Sequence, residues 1–247
     1  MTIFQAIISG IVQGTAEFLP ISSSGHLIIL HHLFKIKQDF LFDIFVHLGT
    51  LLALLVFFHK EIIALFSREK RLVFLLILAS IPTAIIGFCC GGIFEQLFAN
   101  VKSVGGMLLI TGLWLLGGDA ASRHNKRLKK TPGFFSALLI GFAQGISLIP
   151  GISRSGATIS TGLISGLNRE SAFRFSFLLS IPAVLGALLF KIRDFQLSCD
   201  FALIVGMLIS AIVGFFSLEF LFSVIKENKL YIFAIYCFVV GIGVLAL

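Results

Sequence analysis

Charge is what this chain has least of. Only 13% of its 247 residues are Asp, Glu, Lys or Arg, where a soluble domain carries about a quarter. That scarcity, with 57% hydrophobic residues and a mean hydropathy of +1.05, excludes a soluble enzyme, a disordered chain and a nucleic-acid-binding module. Cysteine is scarce too, and Cys89, Cys90, Cys199 and Cys237 have neither metal-ligand spacing nor a disulfide pattern. No basic residue precedes Lys35, so the apolar run from Ile3 to Val12 lacks the positive flank of a cleavable signal. One Trp and two Tyr stand against 28 Phe. The phenylalanines supply lipid-facing and packing surface, or a groove for a long acyl or prenyl chain. The expectation is an all-α integral membrane protein.

A spanning helix needs about 20 mostly apolar residues. Six stretches approach this, at about 40–58, 72–92, 103–118, 173–190, 201–222 and 230–247. Two further apolar regions, at about 3–34 and 134–166, are interrupted by polar residues, Pro and Gly. Irregular backbone at membrane depth is tolerated only inside protein or beside a wet cavity. The expected architecture is therefore six transmembrane helices plus two re-entrant hairpins of half-helices.

The net charge of +7 then reports orientation. Segments 59–71, 119–131, 167–172 and 226–229 hold 12 of the 19 Lys and Arg, and the opposite-side segments hold five. The positive-inside rule makes the richer face cytoplasmic and puts both termini outside.

The two interrupted regions repeat each other. A shift of 131 residues lays Gly10, Gln13 and Gly14 on Gly141, Gln144 and Gly145. It also lays Ile21-Ser22-Ser23-Ser24-Gly25 on Ile152-Ser153-Arg154-Ser155-Gly156. Seven of the 16 positions from Gly10 to Gly25 are identical. The expected repeats are about 1–118 and 132–247 within a single membrane domain. Three spans separate the copies, an odd number, so the second enters from the opposite side. Inverted repeats of this kind build a midplane site from discontinuous helices.

Each Ser-x-Ser-Gly falls where a second half-helix begins. Capping of orphan backbone N–H groups is the plain reading of Ser22, Ser24 and Ser155. Two half-helix N-termini aimed at one point would also hold an anion, and Arg154 adds a planar fork suited to phosphate. An arginine at the bilayer centre costs about 2.5–3.5 kcal/mol on insertion scales, so Arg154 needs a partner, and Glu17 is the candidate. Glu17 and His26 are candidates for proton transfer; Ser23 is preferred as the nucleophile, with His26 or a water activated by Glu17 as the alternatives. Candidate substrate-binding residues are Gln13, Ser22, Ser24, Gly25, Ser153, Ser155, Gly156 and Thr158. Asp43 is expected to pair with Arg174 as a structural ion pair, with His47 four residues from Asp43 on the same helix face.

At these tips the sequence resembles the undecaprenyl-diphosphate phosphatase family of the bacitracin-resistance type. The resemblance rests on Gln13 through His26, on Pro150 through Thr158, and on Phe42 to Leu52, Ser80-Ile81-Pro82 and Phe173 to Pro182. It implies hydrolysis of undecaprenyl diphosphate at the outer side of the bacterial cytoplasmic membrane, recycling the carrier lipid for cell-wall synthesis and giving bacitracin resistance. Glu17, Ser23, His26, Ser153, Arg154 and Thr158 match the family's catalytic positions. The family usually has glutamate in place of Gln13, a doubled acidic site that often goes with a divalent cation (Mg or Ca). With Gln13 here, the metal requirement stays open. The partners implied are the polyprenyl diphosphate substrate and membrane lipids; self-association is left open. The alternative is a secondary transporter or flippase for a lipid phosphate or small anion, because inverted repeats with broken helices also build transporters.

Overall fold

The computed structural model describes residues 2–35, 40–98, 101–124, 128–192 and 200–246. Lys37, Lys126, Arg127, Arg193 and Cys199, used above for charge and cysteine bookkeeping, lie outside the described residues. Those described form eleven helices; the one β feature among them is an isolated bridge between Lys129 and Leu167.

The first interrupted region becomes α1 (Ile3–Phe18) and α2 (Ser23–Phe34), and the second becomes α7 (Phe134–Ile146) and α8 (Arg154–Ile164). Thr2 and Gln5 close a capping box that starts α1. The helix stops at Leu19, the residue before Pro20, where the proline ring disfavours helical backbone. Among the described residues four helices are long and apolar enough to cross a membrane: α5 (Lys70–Phe98), α6 (Val101–His124), α9 (Arg169–Ile192) and α10 (Phe201–Lys226). A fifth span arises if α3 (Phe40–Phe57) and α4 (His59–Ser67), bent by 67°, are taken as one. The final helix, α11 (Tyr231–Leu245), is apolar but has only 15 residues. This is a multi-pass membrane protein. The segment read from its charges as a loop at 59–71 is largely helical, because Ile62, Ile63, Leu65 and Phe66 give α4 an apolar side between Lys60 and Arg68.

Helix packing follows a crosswise pattern. α1 lies along α10, and α7 lies along α5; α3 also packs on α10, and α9 on α5. α6 and α11 pair with each other. Small residues permit these approaches, since packing in lipid relies on close van der Waals fit. A Cβ added at Gly14 of α1 would lie 2.7 Å from the Ser210 carbonyl oxygen of α10, and one at Gly141 of α7 would overlap the Ala79 carbonyl oxygen of α5. Gly105 and Gly241 join α6 to α11 reciprocally, each Cβ position 2.9 Å from the other's carbonyl oxygen. A phenylalanine cluster including Phe18, Phe58, Phe173 and Phe177 fills the centre. Phe66 and Phe88 face outward, 84% and 89% exposed, as lipid-facing side chains should be.

Candidate active site

The two helix breaks meet. A Cβ at Gly25 would lie 3.2 Å from the Gly151 Cα, and one at Gly156 would lie 3.3 Å from the Pro20 Cβ. Each break is clasped from the α6–α11 pair. Thr111 of α6 donates to the Gly151 carbonyl at 3.0 Å and accepts from the Ser153 N–H at 3.1 Å. Cys237 of α11 sits 3.6 Å from the Pro20 carbonyl oxygen. Gly151 has φ +93° and lies against Met107 and Val104 of α6, so a side chain there would meet both strain and collision.

The caps correspond position by position. The Ser22 hydroxyl accepts from the Gly25 N–H at 3.3 Å and lies 3.4 Å from the Ser24 hydroxyl. The Ser153 hydroxyl accepts from the Gly156 N–H at 3.1 Å and lies 3.2 Å from the Ser155 hydroxyl. Ser22 also adopts φ +71°, a conformation that costs a non-glycine residue about 1–3 kcal/mol. That turn sets the adjoining Ser23 at the start of α2.

At the junction Glu17 is the hub. Its Oε1 accepts from Arg154 Nη2 at 2.7 Å, and its Oε2 accepts from the Ser23 hydroxyl at 2.6 Å and from Gln13 Nε2 at 3.2 Å. The ion pair is nearly buried, with side chains 15% and 10% exposed. The Arg154 guanidinium rests 5.5 Å over the Phe177 ring, and its Nη1 is buried with no protein acceptor. A buried donor left without a partner costs about 1–3 kcal/mol, so this one suits a ligand oxygen. Glu17, Ser22, Ser23, Ser24, Ser153 and Arg154 line one cavity of roughly 210 Å³, walled on α9 by Ala183, Val184, Ala187 and Leu188. Pro82 and Pro182 interrupt the ladders of α5 and α9 beside the lining residues Thr83 and Ala183.

Not every expected residue reaches this cavity. Gln13 is fully buried behind Glu17. Gly25, Ser155 and Gly156 shape the capped turns behind it. The Thr158 hydroxyl donates to the Arg154 carbonyl at 2.8 Å and meets the Ser176 hydroxyl at 2.5 Å, bracing α8 against α9. His26 turns away from the cavity. Its Nδ1 lies 2.8 Å from the Ser22 carbonyl, which can only accept, so Nδ1 donates. Its Nε2 then accepts from the Tyr236 hydroxyl at 2.8 Å.

The expected ion pair between Asp43 and Arg174 does not form. Arg174 pairs with Glu69 at 2.8 Å instead of with Asp43, because Glu69, in the turn before α5, lies across from α9. Asp43 and His47 line the cavity itself, and His47 Nε2 is 3.9 Å from Glu17 Oε2. A divalent cation such as Mg or Ca prefers several oxygen ligands. Here Glu17 is engaged by Arg154 and Ser23, Gln13 donates its amide to Glu17, and among the described residues no group of three or more His, Cys, Asp or Glu comes together in metal-ligating geometry.

Fold and cavity together define a multi-pass helical membrane protein with a buried polar site where two broken helices meet. Residues 6–243 match the family described as bacitracin resistance protein BacA, and the chain belongs to that family. It is 43% identical over 257 residues to an undecaprenyl-diphosphatase of Halothermothrix orenii, covering 100% of this chain and 98% of that one. It is 43% identical over 256 residues to an undecaprenyl-diphosphatase of Carboxydothermus hydrogenoformans, with the same coverage. A third, from Korarchaeum cryptofilum, is 39% identical over 270 residues, covering 100% of both chains.

Proposed function

We propose that this protein hydrolyses undecaprenyl diphosphate to undecaprenyl phosphate and inorganic phosphate, recycling the carrier lipid and conferring bacitracin resistance. The observation that carries the reading is the Glu17 carboxylate bridging the Ser23 hydroxyl and the Arg154 guanidinium between two capped helix N-termini. Phosphoryl transfer chiefly needs positioning and charge stabilisation. The free Arg154 Nη1 and the helix N-termini hold the diphosphate, with Ser153 adding a hydroxyl. Ser23 attacks the terminal phosphorus while Glu17, already its hydrogen-bond acceptor, takes the proton. The bond from phosphorus to the bridging oxygen breaks, and the prenyl phosphate leaves with the electron pair. His26 keeps the Ser22 turn in its unusual conformation, and Thr158 fixes the first turn of α8. No step in this scheme runs through a cation.

A cavity of roughly 210 Å³ is smaller than the pockets of about 300–1,000 Å³ that enclose drug-sized ligands. It takes the diphosphate head group, and the long prenyl tail lies outside it in lipid. The apolar α9 wall is the natural side for the first isoprene units.

In this reading six spans and two re-entrant hairpins form an inverted repeat, about 1–118 and 132–247, in the bacterial cytoplasmic membrane. The site opens to the periplasm or exterior. The crosswise pairing of α1 with α10 and α7 with α5 supports the repeat, and the charge bias supports the orientation. The deciding assay is release of inorganic phosphate from a prenyl diphosphate by purified protein in detergent, with no membrane or gradient. Steady release carries the proposal. Absence of release by folded protein would favour the transporter or flippase, since paired broken helices also suit alternating access.

A further inference from the structure

His47 is the cavity residue for which the scheme above has no task. Its Nδ1 lies 2.7 Å from the Asp43 carbonyl oxygen of the preceding turn. A carbonyl can only accept, so Nδ1 carries the hydrogen and the neutral ring presents a bare Nε2. That nitrogen is 3.9 Å from Glu17 Oε2, the same oxygen that accepts from Ser23. The ring is about one-third exposed within a buried site. It thus stands at the open side of the carboxylate, with Ser23 and Arg154 lining the same space. His26 offers no comparable group, because both of its nitrogens are engaged elsewhere.

Two-step transfer through a serine divides its proton traffic between the steps. Where Glu17 keeps the Ser23 proton and returns it to that oxygen in the second step, it is not the base that activates water. A neighbouring imidazole suits that work.

We propose that His47 is the general base of the second step, acting on the phosphoserine at Ser23; the proposal rests on the reading of Ser23 as nucleophile. Water attacks the phosphorus and gives its proton to His47 Nε2. The bond from phosphorus to Ser23 Oγ breaks, and Glu17 returns its proton to that oxygen. Inorganic phosphate departs and His47 releases its proton to solvent. Glu17 and His47 thereby divide the two half-reactions. Asp43, although it lines the cavity, contributes through its backbone by fixing the ring's tautomer.

The test is rapid mixing of purified His47→Gln protein with a prenyl diphosphate labelled in its terminal phosphate, quenched in acid, alongside the wild type. Glutamine keeps approximate size and polarity but cannot take the proton. The first-turnover burst of prenyl phosphate should keep its rate. Steady turnover should fall by about a hundredfold or more, the usual contribution of a positioned base, and acid-stable label should rise toward one per chain. The burst counts only folded, competent molecules, so misfolding cannot imitate this result. Steady turnover matching the wild type, with acid-stable label found to the same extent in both proteins, would overturn the His47 proposal while leaving Ser23 intact. A burst slowed as much as turnover would also overturn it, placing His47 in the first step or in folding. No label in either protein would overturn both readings, because the serine intermediate would not exist.

Discussion

Arg154 makes its contacts through a shape that lysine lacks. One guanidinium nitrogen holds Glu17, another remains free, and the plane lies on Phe177. Arg154→Lys keeps the charge but cannot serve Glu17 and a phosphate oxygen in fixed geometry. Loss of contacts worth about 3 kcal/mol in the transition state predicts a rate about a hundredfold lower. The measurement is phosphate release by variant protein shown to be folded; near-normal release would exclude the fork as a recognition element. The Glu17–Arg154 pair was legible in the sequence, because a lone arginine between apolar stretches demands an acidic partner and few acids were available. The placement of the His26 ring was less so. Its Tyr236 partner lies 210 positions away, and nothing local to Gly25-His26 signals which side of α2 the ring takes. The place of His47 beside Glu17 was hidden for the same reason, since only the fold brings α3 beside the end of α1.

Whole elements left clearer traces than single contacts. The two helix breaks were readable because Gln, Ser, Pro and Gly are conspicuous in apolar sequence, and they recur at one spacing. The helical continuation at α4 was not, since Lys60 and Arg68 resemble loop charge and its amphipathic stretch is only nine residues long. Helix contacts depend on small residues whose partners the sequence does not name. Gly141 is the clearest: a methyl group there would overlap the Ala79 carbonyl of α5, whereas one at Gly106 of α6 meets nothing. Gly141→Ala should therefore force α7 away from α5, at about 1–3 kcal/mol, the usual cost of overpacking. Gly106→Ala should be neutral or slightly stabilising, as alanine is the better helix former. Apparent Tm values of the two variants in the same detergent check this, and equal Tm values would mean that the α5–α7 contact yields freely.

At the scale of the whole molecule, two asymmetries sit on the proposed inverted repeat. The first is chemical. Glu17 in one half corresponds to Leu148 in the other, and Ser23 corresponds to Arg154. One copy therefore supplies the acid and hydroxyl while the other supplies the cation, and the two meet as complementary parts of a single site. The second is electrostatic. Twelve Lys and Arg occupy the segments assigned inside and five those assigned outside, the bias on which the proposed orientation rests. Lys35 ends α2 on the proposed outer side, and Lys229 lies between α10 and α11 on the proposed inner side; both are exposed. With the four native cysteines replaced and activity retained, Lys35→Cys should react with a membrane-impermeant maleimide on intact cells. Lys229→Cys should react only after the membrane is opened. The site's access is tied to this result, because a head group delivered from outside must reach the cavity from the face that bears Lys35. Labelling at 229 but not at 35 in intact cells would invert the chain and make the cavity open to the cytoplasm.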